Sequence, residues 1–236
     1  MSRSPVPRHV VLIFSGGLDS AVTAYRLLAQ GCRVRLLSFA YGQRHARELD
    51  HAGRIAELLG VTHDVVDLTC LGRILGGSAL TDPDVPVPHG HYRAATMRAT
   101  VVANRNAIML EIAAGAAVAA GADAVAFGAH SGDHAIYPDC RPEFLARLEA
   151  SIRAGNEGHI DPGFRIVPPF LESAKADIVR EGAVLGVPFA LTWSCYEGAR
   201  VHCGACGTCV ERREAFDQAK VADPTVYAPS ATGAAR

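Results

Sequence analysis

A chain of 236 residues with 49% hydrophobic and 20% charged content is ordinary for a globular protein, and long enough for one α/β domain with an appendage. Its net charge of −1 supplies no basic field for nucleic acid, and no apolar run approaches the ~20 residues of a membrane span. The start, Met1 to His9, carries charge and two prolines but no apolar signal region. A cytoplasmic location without membrane contact is expected, where seven cysteines point to metal or thiol chemistry rather than disulfides.

Val10 to Ile13 reads as a short buried strand. Ala21 to Gln30 follows with apolar Val22, Tyr25, Leu27 and Leu28 on one helical face, and Gly31 closes it. Between them lies Phe14-Ser15-Gly16-Gly17-Leu18-Asp19-Ser20. Two adjacent glycines allow a tight turn and close backbone approach to a ligand. The free amides and dipole of the helix start favour an anion, and Ser15 and Ser20 add hydroxyl donors. The loop lacks the lysine of a Walker motif. The S-G-G-L-D-S string resembles the pyrophosphate-binding (PP) loop of ATP pyrophosphatases, which split ATP between its α and β phosphates. The bland alternative is a ligand-free strand-to-helix turn.

Arg33 to Phe39 is a second strand, Glu48 to Leu59 a helix closed by Gly60, and Thr62 to Leu68 a third strand. Strands alternating with helices predict a parallel sheet covered on both faces. Ligands are then expected beyond the carboxyl ends of the strands, where the glycine turn and Tyr41 to His45 lie. Thr69 to Met97, rich in Gly, Pro and His, is expected as a lid or subunit contact. Asn106 to Ala120 is an alanine-rich helix. Ala124 to Ala129 is a fourth strand leading into His130 to Arg141. Pro142 and Glu143 open a helix running to about Ala154, Arg165 to Phe170 is extended, and Ala174 to Leu185 is helical. A short helix is expected over Val210 to Lys220, and a frayed tail from Pro224. Only Lys175 and Lys220 are lysines, so arginine replaces lysine almost throughout and Lys175 stands out.

Cys195, Cys203, Cys206 and Cys209 are spaced C-x7-C-x2-C-x2-C. Four thiolates within fifteen residues can wrap one tetrahedral Zn²⁺ with no open ligand position, which makes the expected site structural. An iron–sulfur cluster is the alternative; the tight knuckle spacing favours a single small ion. Cys32 and Cys70 read as packing residues. Cys140 is either a third such residue or a thiol nucleophile.

The glycine turn, the four-cysteine knuckle and the intervening segment Gly132 to Phe144 (G-D-H-A-I-Y-P-D-C-R-P-E-F) together resemble the 7-cyano-7-deazaguanine synthase family of queuosine biosynthesis. The likeness runs from about Val10 to Phe216, and includes Phe39 to His45, Asn104-Arg105-Asn106 and Thr192 to Tyr196. The resemblance implies an α/β parallel-sheet, adenine nucleotide alpha hydrolase-like (Rossmann-like) domain over residues 1–190, a four-cysteine zinc-binding segment over 191–220, and a flexible tail over 221–236. It implies a C–N bond-forming ligase that converts 7-carboxy-7-deazaguanine, ammonia and ATP with Mg²⁺ into the nitrile through adenylated carboxylate and amide intermediates. A homodimer is also expected.

On that likeness Phe14, Ser15, Gly16, Gly17, Leu18, Asp19 and Ser20 cradle ATP phosphates, with Ala21, Val22, Thr23 and Ala24 beside them; Arg105 either contacts phosphate or only braces the helix start. Ser15, Asp19 and Lys175 are the expected catalytic set. Asp19 orients Mg²⁺ or simply caps the helix. Lys175 neutralises the α-phosphate or is a solvated helix lysine. Asp133 and Asp139 are candidates to accept the N–H edge of the guanine-like base, Tyr137 to stack on it, and Arg141 to steer the substrate carboxylate. Their alternative role is turn formation. No single loop histidine stands out as a general base.

Two rivals compete. One is a related PP-loop enzyme that adenylates a deazaguanine or a tRNA base for another transfer, such as thiolation or a defence-type modification. The other is a zinc-ribbon binding module, for which Trp193, Tyr196, Arg200, Arg212 and Arg213 offer modest basic and aromatic surroundings.

Overall fold

The computed structural model describes residues 5–229. Five parallel strands, β1 (His9–Ile13), β2 (Arg33–Ala40), β3 (His63–Asp67), β4 (Ala124–Ala126) and β5 (Arg165–Val167), lie in the order β3-β2-β1-β4-β5. Eight α-helices accompany them among the described residues: α1 (Leu18–Ala29), α2 (Arg47–Leu59), α3 (Thr69–Ile74), α4 (Ala94–Met97), α5 (Arg105–Ala119), α6 (Pro142–Gly155), α7 (Lys175–Val184) and α8 (Gly207–Ala219). None alone is long and apolar enough to cross a membrane.

The central strand explains the two-layered core. Val10, Val11 and Leu12 of β1 are all fully buried, as a parallel strand covered on both faces must be. Side chains alternate across the sheet. Val10 and Leu12 join a cluster with Leu27 of α1, Ile55 of α2, Val179 of α7 and Phe216 of α8. Val11 joins the opposite cluster with Leu110 of α5 and Leu145 of α6. Helix α8 therefore packs into the main core and is no separate appendage.

The long segment after β3 is neither a free lid nor unstructured. It forms α3 and α4, and its middle straps the molecule. Ala79 and Leu80 are fully buried; the Arg44 amide donates to Leu80 O at 2.7 Å and the Gly90 amide to Ala205 O at 2.9 Å. The tail also differs from expectation. Residues 221–229 are held against the cysteine segment: Arg212 Nε approaches Asp223 Oδ1 at 3.4 Å, Tyr227 OH donates to Asp223 Oδ2 at 2.6 Å, and the Ala228 amide donates to His202 O at 2.7 Å. Residues 230–236 of the expected tail lie outside the described residues.

Candidate active site

The strand order reverses between β1 and β4, and a cleft of about 230 Å³ opens there, beyond their carboxyl ends. The glycine turn forms one wall. Gly16 sits at φ +76°, and a Cβ there would lie 2.5 Å from Glu48 O and 2.7 Å from Ala52 N, so only glycine lets the turn rest on α2. Gly17 starts α1 without a side-chain cap, which leaves the first helical amides and the positive end of the dipole for an anion. Ser15 Oγ accepts from the Gly17 amide at 3.2 Å and lies 3.2 Å from Ser20 Oγ. The Trp193 amide donates to Gly16 O at 2.9 Å and pins the turn from the far side.

Beside the turn is an ionic cluster. Lys175, at the start of α7, lies 2.9 Å from Asp19 Oδ2 and 2.8 Å from Glu211 Oε2. The Glu211 contact is an ion pair without hydrogen-bond alignment, since Oε2 has no hydrogen-bond partner among the described residues. His130 Nδ1 accepts from the Gly132 amide at 3.1 Å; its Nε2 lies 3.4 Å from Lys175 Nζ and 3.7 Å from both Glu211 Oε1 and Asp133 Oδ2. Burial alone would lift the Asp19 carboxyl; the charges of Lys175 and His130 outweigh it and hold Asp19 below its usual range. Burial would likewise lower Lys175, but Asp19 and Glu211 hold it above the ordinary lysine value. Glu211 is pushed up by burial against the pull of Lys175. The Lys175 side chain is 15% exposed, so it is not a solvated helix lysine. Asp19 Oδ1 is buried without a partner among the described residues, a donor suited to a cation.

The opposite wall is aromatic. Tyr41, Tyr92, Tyr137 and Tyr196 line it with Arg105. Arg105 Nη1 donates to Tyr41 OH at 3.4 Å, and its guanidinium carbon lies 5.7 Å from the centre of that ring. Tyr92 OH donates to Asp133 Oδ1 at 3.1 Å, and Tyr137 OH lies 2.8 Å from Thr100 Oγ1. Near the glycine turn, Gln43 Nε2 donates to Glu48 Oε1 at 3.0 Å, and His45 Nε2 lies 3.5 Å from Glu48 Oε2.

Of the expected site residues, Phe14, Ser15, Gly17, Leu18, Asp19, Ser20, Arg105, Asp133, Tyr137 and Lys175 line this cleft. Gly16 supports the turn from behind, while Ala21, Val22, Thr23 and Ala24 are buried in the body of α1. Two assignments need correction. Asp139 faces α5: its Oδ2 accepts from the Asn106 amide and its Oδ1 from Asn106 Nδ2, both at 3.2 Å. Arg141 is exposed and donates through Nε to His134 O at 2.8 Å. Both take the turn-forming, bracing role that loop chemistry offers. Burial, with Asp133 and Asp139 nearby, pushes the Cys140 thiol well up, which opposes a nucleophilic thiolate. Glu48 and Glu211 escaped sequence reasoning, while His45 and His130 were visible only as loop histidines at the ligand-binding edge of the sheet; Glu211 lies two residues after Cys209 on a helix packed back against the sheet.

Cys195, Cys203, Cys206 and Cys209 bring their sulfurs within 4.8 Å of one another. Backbone amides point at them: Cys203 N to Cys195 Sγ at 3.3 Å, and Cys206 N to Cys203 Sγ at 3.2 Å. Four sulfurs with amide donors fit a metal ion bound by thiolates. Of the basic and aromatic residues around the knuckle, Arg212 is fully buried and Trp193 is 4% exposed, while Arg200 and Arg213 are exposed.

The comparisons agree with this geometry. Residues 9–220 match the family described as queuosine biosynthesis protein QueC. A 7-cyano-7-deazaguanine synthase of Brucella anthropi is 54% identical over 217 residues, covering 92% of each chain. One from Ruegeria sp. is 56% identical over 218 residues, again covering 92% of each. Among solved structures, an NMN synthetase from Francisella tularensis aligns with a TM-score of 0.45 at 17% identity, over 84% of this chain and 70% of that one. With a glycine turn on a sheet switch point, four converging cysteines and relatives matched over nearly their whole length, the chain belongs to the QueC family of queuosine biosynthesis proteins.

Proposed function

We propose that the protein joins 7-carboxy-7-deazaguanine to ammonia at the cost of ATP and dehydrates the resulting amide to 7-cyano-7-deazaguanine. The observation that carries this reading is the meeting, in one cleft, of the uncapped α1 amides, the Lys175 cation and a base-sized aromatic wall. A carboxylate is a poor electrophile. Joining AMP to it creates a leaving group, and the departing pyrophosphate needs donors already in place. The amides of Gly17 to Ser20 and the hydroxyls of Ser15 and Ser20 supply them. Lys175 offsets charge on the α-phosphate. Asp19, with its unpartnered oxygen, is the residue that would hold ATP-bound Mg²⁺.

Asp133, with one oxygen toward Tyr92 OH, accepts from the guanine-like edge, and Tyr137 stacks on the ring. Arg105 takes the anion-binding role first expected of Arg141, because it is the arginine lining the cleft. Zn²⁺ is the ion for the four thiolates, which contribute structure and no open coordination position. A homodimer belongs to the same reading and is tested by sedimentation.

The test is mass spectrometry of 7-carboxy-7-deazaguanine incubated with ATP, Mg²⁺ and ammonium. The nitrile and AMP are expected; unchanged acid and no AMP would reject the reading. Ser15→Ala should lower turnover by about 10²-fold or more while zinc content stays unchanged. A transfer to a macromolecule, the competing PP-loop chemistry, would instead appear as AMP release that depends on added tRNA or DNA.

A further inference from the structure

We infer that Glu48, backed by His45 and Gln43, meets the ammonia nucleophile and takes the proton that ammonium must lose. The inference rests on the reaction proposed above and specifies its second step.

The geometry places Glu48 in the cleft wall beside the glycine turn. Its backbone oxygen is the atom against which Gly16 is packed, so its side chain enters the cleft next to the glycine turn. Oε1 accepts from Gln43 Nε2, and Oε2 faces His45 Nε2 at 3.5 Å. No lysine or arginine lies in ion-pair distance of this carboxyl among the described residues, in contrast to Asp19 and Glu211, which share Lys175. His45 is 3% exposed and lines the same cleft. Its Nδ1 is buried without a partner among the described residues. Glu48 Oε2, which takes part in no hydrogen bond among the described residues, is the atom a small cation rich in N–H bonds would reach from the cleft.

The charged and titratable neighbours set the protonation states. Burial, with Arg105 and Arg44, lowers His45 to about 3, so its ring is neutral at ordinary pH. Burial raises Glu48 to about 7, opposed by the Gln43 hydrogen bond and by Arg105. Tyr41, also near Arg105, is raised to about 12 and Tyr196 well above its usual value, so both are neutral. Glu48 can therefore exchange a proton near neutral pH, as a general base must.

The step balances as follows. The Glu48 carboxylate takes one proton from ammonium, giving ammonia and a neutral carboxyl. The nitrogen lone pair forms the C–N bond to the activated carbonyl as the C–O bond to AMP breaks. The second surplus proton leaves with the AMP phosphate.

Glu48→Gln preserves the acceptor for Gln43 and removes the base. ATP–pyrophosphate exchange driven by 7-carboxy-7-deazaguanine needs no ammonia, so the variant should keep it within about threefold. Amide formation from ammonium at pH 7 should fall about 10²-fold or more. Hydroxylamine, neutral at pH 7, should restore product as the hydroxamate. The parent's rate at saturating ammonium should rise with a midpoint near 7 and level off, while the variant keeps climbing with free ammonia. Parental amide formation at pH 7, joint loss of exchange and amide formation, or a tenfold rise in KM for the acid with kcat retained would each overturn the inference. Glu48→Asp, which retains a carboxyl, should recover part of the ammonium-dependent rate; no recovery in a variant competent for exchange would count equally against it. Absence of exchange in the parent would reject the reaction itself.

Discussion

At the scale of single residues, the cleft holds groups that a stable fold would not choose. Glu48 is the clearest: it is buried and lacks a cationic partner, so its carboxyl rises from 4.5 to about 7. Between those values the folded protein keeps a proton that the unfolded chain has released. Stability therefore falls as pH rises through this window, and the loss is complete above about 7. Glu48→Gln removes that loss. Denaturant unfolding should find the variant more stable than the parent at pH 8, by up to about 3 kcal/mol, with no difference from this group at pH 4. His45 carries the opposite slope, losing stability as pH falls below its ordinary value toward about 3. The comparison is therefore between chains that differ at position 48 alone. Equal stability of the two at pH 8 would show that Glu48 is solvated.

The elements divide into those whose pattern is local and those whose contacts are remote. β1, α1, β2 and α2 were legible because apolar periodicity and closing glycines act within a dozen residues; α2 ends at Gly60, which sits at φ +62° as a left-handed terminator should. β4 was expected to run to Ala129, yet it ends at Ala126. A Cβ on Gly128 would lie 3.0 Å from the backbone of Asp19 and Ser20; the chain there is spent on close approach to α1, not on pairing. Asp139 and Arg141 were misplaced for a related reason. A turn sequence shows that polar groups gather, but not which side of the turn faces the ligand. The same reasoning separates the two glycines of the phosphate turn. Gly16→Ala meets α2 backbone at 2.5 Å from φ +76°, and the left-handed conformation alone costs about 1–2 kcal/mol. Gly17 has φ −78°, and its Cβ would meet the Ser15 hydroxyl at 3.1 Å and Trp193 O at 3.3 Å. Thermal melts should show Gly16→Ala lowered by at least about 5 °C and Gly17→Ala by less than about 3 °C, while both lose ATP–pyrophosphate exchange. A Gly16→Ala protein with parental Tm would mean that the turn does not rest on α2.

Across the whole molecule, the cysteine knuckle binds together three stretches that each reach the cleft. The strap after β3 meets it through the Gly90 amide on Ala205 O at 2.9 Å. Trp193 donates through Nε1 to Cys195 O at 2.8 Å and through its amide to Gly16 O at 2.9 Å, so the knuckle and the phosphate turn share one residue. Cys206 caps α8, and one turn later that helix delivers Glu211 to Lys175 and the fully buried Arg212 to Thr192 Oγ1 at 2.8 Å, Ser194 Oγ at 3.1 Å and Phe189 O at 3.0 Å. A metal that draws four thiolates together would fix the start of α8, and with it Glu211, which among the described residues shares Lys175 with Asp19 and His130. Cys206→Ser should therefore lose bound metal, lower Tm by about 10 °C or more, since a domain of this size shifts about 2–4 °C per kcal/mol, and lose ATP–pyrophosphate exchange in the same proportion. Ser15→Ala should lose exchange with metal content and Tm unchanged, which separates damage to the phosphate turn from damage to its support. Elemental analysis, a thermal melt and exchange on the same preparations decide the matter: metal-free protein that exchanges at the parental rate would show that the knuckle does not position the cleft.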